Sequence, residues 1–475
     1  MTTAAPLAAI VSASLLAGCT SMQPGLGFDD VRQSIAARSG ERVHWNNGTP
    51  EDEQVRSAVA GLLREELTAD RAVQIALLNN HELQAVYEEL SLAQSDVVQA
   101  GLLKNPIFSA NMRFGVSGMG PGVDLGIAQD FLSILSMPLR KGRAEAAFEA
   151  AKIRVTAAVL DAAFEVRTAF HDLQAGQQAR EMRSTVLEAT GASYELASRL
   201  RAAGNIRELD LSNELALKEQ SKIELAAAQA EEVRLRERMN ALMGLWGSQT
   251  HWAAAPRLPA LPDNQTPQDG LEARAIGASL DLALLRKEAE IAARTAGMAK
   301  PFAWLDGTEV GVASERELEG DWSVGPSVAV PIPIFDQGQA TIGAAQARYK
   351  QAAERTIARA VEIRARVRAA QSGTNAAYDR ARYYERVILP LKQQILDETQ
   401  LQFNAMQVSG FQLLQAKRDQ IAAGAEYIAS LHDYWQARAE LDQILSGRMT
   451  TFERTTRFAD AASSRAGASG AGEHP

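Results

Sequence analysis

Three stretches of the chain alternate apolar and polar residues with a period of two. In the first half the alternation runs over residues 107–116 and 123–131 and ends with Phe131. In the second half it runs over residues 322–334 and includes Val330, Ile332 and Ile334. About ten residues of such alternation indicate a β-strand with one apolar and one polar face. We therefore predict two hairpins, at about 106–132 and 302–335, and four strands in all.

Long segments around these hairpins are rich in Ala, Glu, Leu, Arg and Gln and nearly free of proline. This composition predicts long helices, at about 70–103, 139–203, 206–246, 271–299, 337–408 and 411–447. Within the last helix Leu414, Ile421, Ile428 and Trp435 recur every seven residues, which is the spacing of a coiled-coil seam. The expected fold class is mainly α with a small β part.

The same order of elements occurs twice: short helix, hairpin, long helix, turn and second helix. The hairpin entries at residues 100 and 296 are 196 residues apart, and the turns around Gly204 and Gly410 are 206 residues apart. We predict a first repeat at 65–255 with a helical hairpin at about 139–246. A second repeat is expected at 256–450, with a helical hairpin at about 337–447.

The strands have two interpretations. They fit a small soluble antiparallel sheet packed on helices, and their length and alternation also fit strands that span a membrane. Four strands cannot close a barrel, and an open sheet edge in lipid would leave backbone groups without partners. In the second interpretation, several copies of the chain must therefore share one barrel.

Charge and hydropathy exclude two classes of protein. The net charge of −9 comes without a basic stripe that could neutralise phosphates, which argues against a nucleic-acid partner. After Cys19 the sequence has no apolar run of about 18 residues, so it predicts no transmembrane helix and no polytopic inner-membrane pump.

Cys19 is the single cysteine of the chain. Alone it cannot form an intramolecular disulfide or a site of several thiolates. The sequence Leu16-Ala17-Gly18-Cys19 follows a short apolar run and resembles a bacterial lipobox. We expect a signal peptide at 1–18, covalent lipid on Cys19 and a lipid-anchored tether at 19–64; the alternative is an ordinary buried cysteine.

The lipobox, the duplicated layout and the phrase Val330-Pro331-Ile332-Pro333-Ile334-Phe335-Asp336-Gln337-Gly338 resemble TolC-type outer-membrane efflux proteins. The resemblance is to their lipid-anchored branch, which serves drug and heavy-metal exporters, and covers about residues 65–447. Pro390 also lies where that family tolerates a proline within a helix. The resemblance implies a homotrimer in which three copies close one twelve-stranded barrel in outer-membrane lipid. It further implies a periplasmic α-barrel whose helical turns contact a periplasmic adaptor, which is linked to an inner-membrane RND-type pump.

The resemblance also places a periplasmic gate just past the two helical turns. The matching residues are Glu208 and Asp210 in the first half and Gln412 and Gln415 in the second, where relatives carry acidic residues. The candidate adaptor contacts are Gly204 and Asn205 in the first turn and Ser409 and Gly410 in the second. For the four gate candidates the alternative is that they are solvated polar residues at helix ends.

No enzymatic motif is complete. His81-Glu82-Leu83-Gln84-Ala85 begins like a zinc-protease helix but has no second histidine. Met112, Met119 and Met137 fit packing better than a soft-metal site, and we expect no metal and no cofactor apart from the lipid.

The function expected is therefore that of a passive outer-membrane exit duct for small molecules or metal ions. The alternative is a periplasmic adaptor or a structural coiled-coil lipoprotein without a pore. An adaptor usually has one helical hairpin flanked by β domains, whereas this chain has two. The low-complexity tail at 451–475 is expected to be disordered.

Overall fold

A computed structural model describes residues 23, 25–114, 121–263, 269–302, 308–316, 321–330, 332, 334–335 and 337–449. Several predicted features lie outside these residues, so the expectations for them stay predictions. They are the predicted signal peptide, Cys19, Met119, the hairpin tips and the tail at 451–475. The chain divides into two compact units. Unit 1 contains the residues up to Gln33, Ala85–Thr156 and Leu282–Arg359, and unit 2 contains Ser34–Gln84, Ala157–Asp281 and the residues from Ala360 onward.

The predicted fold class, mainly helical with four strands, is confirmed. In chain order the elements are α1 (Phe28–Ser39), α2 (Pro50–Leu62), α3 (Ala69–Asn79), α4 (His81–Gly101), β1 (Ile107–Arg113), β2 (Gly122–Asp130), α5 (Phe131–Ala202), α6 (Glu208–Met243), α7 (Leu271–Ala278), α8 (Leu280–Phe302), β3 (Glu309–Arg316), β4 (Trp322–Ala329), α9 (Gln339–Tyr383), α10 (Leu389–Asn404) and α11 (Gly410–Ser446). Within the described residues, no helix is both long enough and apolar enough to cross a membrane. The helices α1 and α2 occupy much of what the sequence predicted as a tether.

The sheet of unit 1 is antiparallel, in the order β1-β2-β3-β4. Its register aligns Phe108, Ile127 and Val312 in one row on an exposed apolar face. On the opposite face the register aligns the polar residues Asn111, Asp124, Glu315 and Ser323. The predicted alternation is thus confirmed within the strands, but β4 ends at Ala329, so Val330, Ile332 and Ile334 lie beyond it.

Phe131 is not a strand residue but the first residue of α5. The Asp130 carboxylate accepts the backbone N–H of Ser133 at 3.0 Å, while the Ser133 hydroxyl donates to the Asp130 carbonyl at 2.6 Å. The first bond satisfies one of the N–H groups that a helix start leaves unpaired, and the second fixes Ser133 against the residue before the helix. The helix therefore begins well before Pro138, where the sequence had suggested its start.

Pro390 interrupts the second long helix. Because proline has no backbone N–H, an α-helical bond to the carbonyl of Arg386 cannot form. The backbone instead adopts a π-helical segment over Tyr384–Ile388, in which the Leu389 N–H donates to the Tyr384 carbonyl. The predicted helix at 337–408 is therefore three segments: α9, the π segment and α10.

In unit 2 the linker between the repeats packs on three helices. The Gln174 side chain on α5 donates to the carbonyls of Ala255 and Arg257, at 3.0 and 2.7 Å. Trp435 on α11 donates to the Pro259 carbonyl at 2.8 Å, and the Tyr378 hydroxyl on α9 donates to the Pro262 carbonyl at 3.0 Å. The linker therefore has fixed partners in both repeats.

Arg448, just past the end of α11, joins two carboxylates in unit 2. Its guanidinium makes a forked pair with Asp161 on α5, with the Arg448 Nε atom 3.1 Å from both carboxylate oxygens, and contacts Asp281 on α8. The Asp281 side chain is only 8% exposed. A buried carboxylate is tolerated only with a partner, so this contact holds the last residues of the second repeat on α5 and α8.

We predict that Arg448→Met lowers the thermal unfolding midpoint, since it leaves Asp281 buried without its cation, at a cost of about 3 kcal/mol. The matched control is Arg234→Met, which removes an exposed i,i+3 pair with Glu231 and should cost below about 0.5 kcal/mol. Equal midpoints for the two variants would contradict this role of Arg448.

His171 on α5 lies in the core of unit 2. Its side chain is 4% exposed and its ring packs on that of Trp435, with the centroids 5.6 Å apart. The ring Nδ1 atom is buried and has no hydrogen-bond partner among the described residues. Burial lowers the pKa of His171 to about 4, because the charged ring would lose its water.

This pKa predicts a loss of stability in acid. An unfolded histidine titrates near 6.5, so between about pH 6.5 and pH 4 the unfolded chain takes up the proton and folding weakens by up to about 3 kcal/mol. His171→Phe should show a smaller fall in the thermal midpoint from about pH 7.5 to about pH 4.5, whereas replacing the exposed His251 should change nothing. An unchanged pH slope in His171→Phe would show that other groups cause the acid sensitivity.

Candidate functional site: the two helical turns

Both helical turns lie in unit 2, between α5 and α6 and between α10 and α11. Their backbone hydrogen bonds correspond one to one at an offset of 202 residues (406 − 204). The bonds run from Ala203 to Arg199, Gly204 to Arg201 and Asn205 to Leu200 in the first turn, and from Ala405 to Leu401, Met406 to Phe403 and Gln407 to Gln402 in the second. The counterpart of Gly204 is therefore Met406, and not Gly410 as the sequence comparison suggested.

In the first turn, both predicted gate carboxylates have arginine partners. The Asp210 carboxylate accepts the backbone N–H of Arg207 at 3.2 Å and the guanidinium of the same residue at 3.1 Å. These bonds lower the pKa of Asp210, which stays ionised near neutral pH. Glu208 accepts from the Arg201 Nε atom at 3.0 Å. The first turn thus presents two carboxylates beside two cations.

In the second turn, the predicted gate residues Gln412 and Gln415 are held by neighbours on their own helix. Ser409 and Gln412 form a capping box: the Ser409 N–H donates to the Gln412 side chain at 2.9 Å and the Ser409 hydroxyl accepts the Gln412 N–H at 3.4 Å. The Gln415 amide donates to Asp419 at 2.7 Å and accepts from Arg418 at 2.9 Å. A neutral glutamine at position 412 therefore has a structural reason, and its role at a gate stays a prediction.

The predicted adaptor contacts differ in what surrounds them. Gly204 and Asn205 are exposed, and Gly204 has a φ of +75° in a turn that favours glycine. Gly410 is instead close to α5: a Cβ atom there would lie 2.7 Å from a methyl carbon of Leu196. The missing side chain of Gly410 therefore allows α11 to approach the first helical hairpin.

Three residues at the turns escaped the sequence analysis. Arg201 and Arg207 pair with the predicted gate carboxylates, and the i,i+3 spacing of Arg207 and Asp210 could have been recognised in the sequence. Met406 was missed because the sequence comparison placed Gly410, four residues later, opposite Gly204.

The remaining candidates do not form a site. Within the described residues no group of three or more His, Cys, Asp or Glu side chains is arranged to hold a metal ion. His81 and Glu82 are exposed at the start of α4, and Met112 is an exposed strand residue.

The polar face of the sheet carries its own charge cluster. Arg113 on β1 pairs with Asp124 on β2, with 2.8 Å between the Arg113 Nη2 and Asp124 Oδ1 atoms, and also contacts Glu315 on β3. Asp124 and Glu315 are directly opposite each other in the register, so the arginine offsets a repulsion between like charges. The next row on the same face consists of the small residues Ser109, Gly126, Ala313 and Gly325.

Comparison with known proteins finds a family model that matches the second half of the chain. The family model described as Outer membrane efflux protein matches residues 305–447, a stretch that contains β3, β4 and α9 to α11. This part of the chain is therefore similar to outer membrane efflux proteins. The predicted resemblance to TolC-type proteins is therefore confirmed.

Relatives of this efflux family match most of the chain. The Cobalt-zinc-cadmium resistance protein CzcC of Cupriavidus metallidurans is 24% identical over 392 residues, which are 80% of this chain and 90% of CzcC. A crystal structure of CusC, from work on its folding and transmembrane channel formation, has a TM-score of 0.63 at 15% identity and matches 81% of this chain and 94% of CusC. The open state of the Neisseria gonorrhoeae MtrE outer membrane channel has a TM-score of 0.63 at 16% identity and matches 80% of this chain and 89% of MtrE. At these identities the solved structures establish the fold.

Proposed function

We propose that this chain is the passive outer-membrane exit duct of a tripartite efflux system. It receives its cargo from an inner-membrane RND-type pump through a periplasmic adaptor, and it carries out no chemical step. The observation that carries the proposal is the sheet, which among the described residues has an exposed apolar face, a polar face and two edges without a strand partner. A soluble protein would have to cover such an apolar face, whereas lipid covers it without further protein.

Three copies of the chain could pair all the strand edges of this sheet. In the described residues β1 and β4 each pair on one side only, so their outer backbone groups need partners. If β1 of one copy pairs with β4 of the next, three sheets close a twelve-stranded barrel with no edge left open. Apolar side chains would then face lipid, and the row of Asn111, Asp124, Glu315 and Ser323 would face the lumen.

The cargo class that we propose is divalent metal cations. The relative that supports it is CzcC, whose name refers to cobalt, zinc and cadmium resistance, and which aligns with 80% of this chain. The net charge of −9 and the carboxylates on the polar face of the sheet are compatible with cations passing by. Hydrophobic drugs are the competing class of cargo.

A deletion strain tests the function. The strain should lose tolerance to cobalt, zinc and cadmium salts, keep its tolerance to hydrophobic antibiotics and dyes, and recover when the full chain is expressed. Sensitivity to antibiotics alone would replace the metal proposal with a drug exporter. The purified chain in planar bilayers separates a duct from the alternative, an adaptor or structural lipoprotein, because only a duct conducts ions.

The first turn also yields a prediction on ion selectivity. In a chain carrying both Glu208→Gln and Asp210→Asn, the side chains keep nearly the same size, while two negative charges are lost and one acceptor oxygen of each carboxylate becomes an amide donor. Arg201 and Arg207 then lack their carboxylate partners, so a gate at this level should favour anions more than the parent does. The measurement is the reversal potential of single channels in a salt gradient, which should shift toward the anion value.

The matched control for this experiment is Gln412→Ala with Gln415→Ala, which changes no charge in the second turn. This control should keep the reversal potential of the parent protein. If the first-turn variant also keeps it, the gate does not lie at Glu208 and Asp210.

A further inference from the structure

The second helical turn has an unusual backbone at Met406. Its φ is +59°, and it is the only non-glycine residue with a positive φ among the described residues. A residue with a Cβ atom is strained in this left-handed conformation. The first turn has Gly204 at the equivalent place, with a φ of +75°. The turn itself therefore needs no side chain here, and a glycine would form it with less strain.

Within the part of the chain that the structure describes, the Met406 side chain has little packing that could offset this strain. The Met406 side chain is 94% exposed, the largest exposed fraction among the large apolar side chains of the described residues. Leu401 and Phe403, one turn earlier on α10, are 62% and 38% exposed. Residues with strained backbone conformations are concentrated at functional sites.

The two turns also differ in charge. From Thr399 through Ala416 the second turn and its flanks contain no ionisable side chain. The first turn carries five within twelve residues: Arg199, Arg201, Arg207, Glu208 and Asp210. One chain thus presents a charged turn and an uncharged, apolar turn built on the same backbone hydrogen bonds.

We propose that Met406 is the anchor by which the second turn docks into an uncharged, apolar pocket at the helical end of the periplasmic adaptor. The inference rests on the proposed function, since it names the contact residue of that partner. Burying a charge without a counter-charge is costly, so the charge-free segment complements an uncharged pocket. A flexible, polarisable thioether fills irregular apolar pockets well. The neighbouring amides of Gln402 and Gln407 can pair with polar groups of a protein at the pocket rim.

Three variants distinguish the effect of the Met406 side chain from the effect of its strained backbone. Met406→Gln keeps the length and the backbone strain but makes the side chain polar. Met406→Gly removes the side chain and relieves the strain, so it should leave the thermal midpoint unchanged or raise it. Met406→Leu keeps an apolar side chain of similar volume and serves as the matched control.

The experiment measures binding of the full-length chain in lipid nanodiscs to the purified adaptor of the host's heavy-metal efflux system. We expect Met406→Gln and Met406→Gly to weaken binding by roughly tenfold or more and Met406→Leu to stay within roughly threefold of the parent. Unchanged binding of Met406→Gln would overturn the proposal. So would a changed number of chains per particle, which would assign Met406 to contacts between copies, or loss of binding to adaptor-free vesicles, which would assign it to lipid.

The proposed function and this inference fail in different ways. If the parent neither conducts ions nor binds the adaptor, the duct is wrong and the inference falls with it. If the parent conducts and binds but all three variants bind equally well, only the role of Met406 is wrong.

Discussion

Within the described residues the outer edges of β1 and β4 have no strand partner, and this is the constraint on which the rest of the molecule depends. A sheet of four strands has satisfied backbone groups inside and unsatisfied ones at both edges, and its apolar face is exposed as well. Water can satisfy those edges, but lipid cannot. An assembly of copies is the simplest arrangement that satisfies the edges and covers the apolar face with lipid at the same time. The proposed trimer follows from this need rather than from any contact within one chain.

The internal repeat shows how one backbone supports two chemistries. Gly244 and Gly447 end α6 and α11 with matching bonds, and the turns match at an offset of 202 residues. The supporting side chains differ: Asn79 holds the carbonyls at the end of α6, whereas Arg38, from outside the second repeat, holds the carbonyl of Ser446 at the end of α11. The turns differ in the same way, with paired charges in one and neutral side chains in the other. The duplicated fold therefore leaves each repeat free to meet a different partner surface.

Periodicity predicted the fold well because it reports which face of an element is buried. Of the predicted seam on α11, Ile421 is buried and Leu414, Ile428 and Trp435 are half-buried, and the hairpins lie close to their predicted positions. Boundaries were missed where a local bond decides them. Asp130 starts α5 early, Asn80 divides the helix predicted at 70–103, and Pro390 produces a π segment rather than a simple break. Such bonds depend on single side-chain geometries that a hydrophobic pattern does not record.

The candidate site was only partly predictable. The acidic residues of the first turn could be listed from the sequence, but their arginine partners depend on the shape of the turn, which brings Arg201 to Glu208 across seven residues. Met406 was recognised as the counterpart of Gly204 only when the two turns were aligned by their backbone hydrogen bonds rather than by sequence. The domain boundaries at 65–255 and 256–450 stay predictions, because both repeats contribute residues to both compact units.

The central claim is that several copies, three in our account, satisfy the strand edges of one another. The most direct test is the mass of the full-length protein released from lipid nanodiscs, measured by native mass spectrometry. We expect particles with three chains that persist at low protein concentration. Particles with a single chain, in a sample that still conducts ions in bilayers, would contradict it.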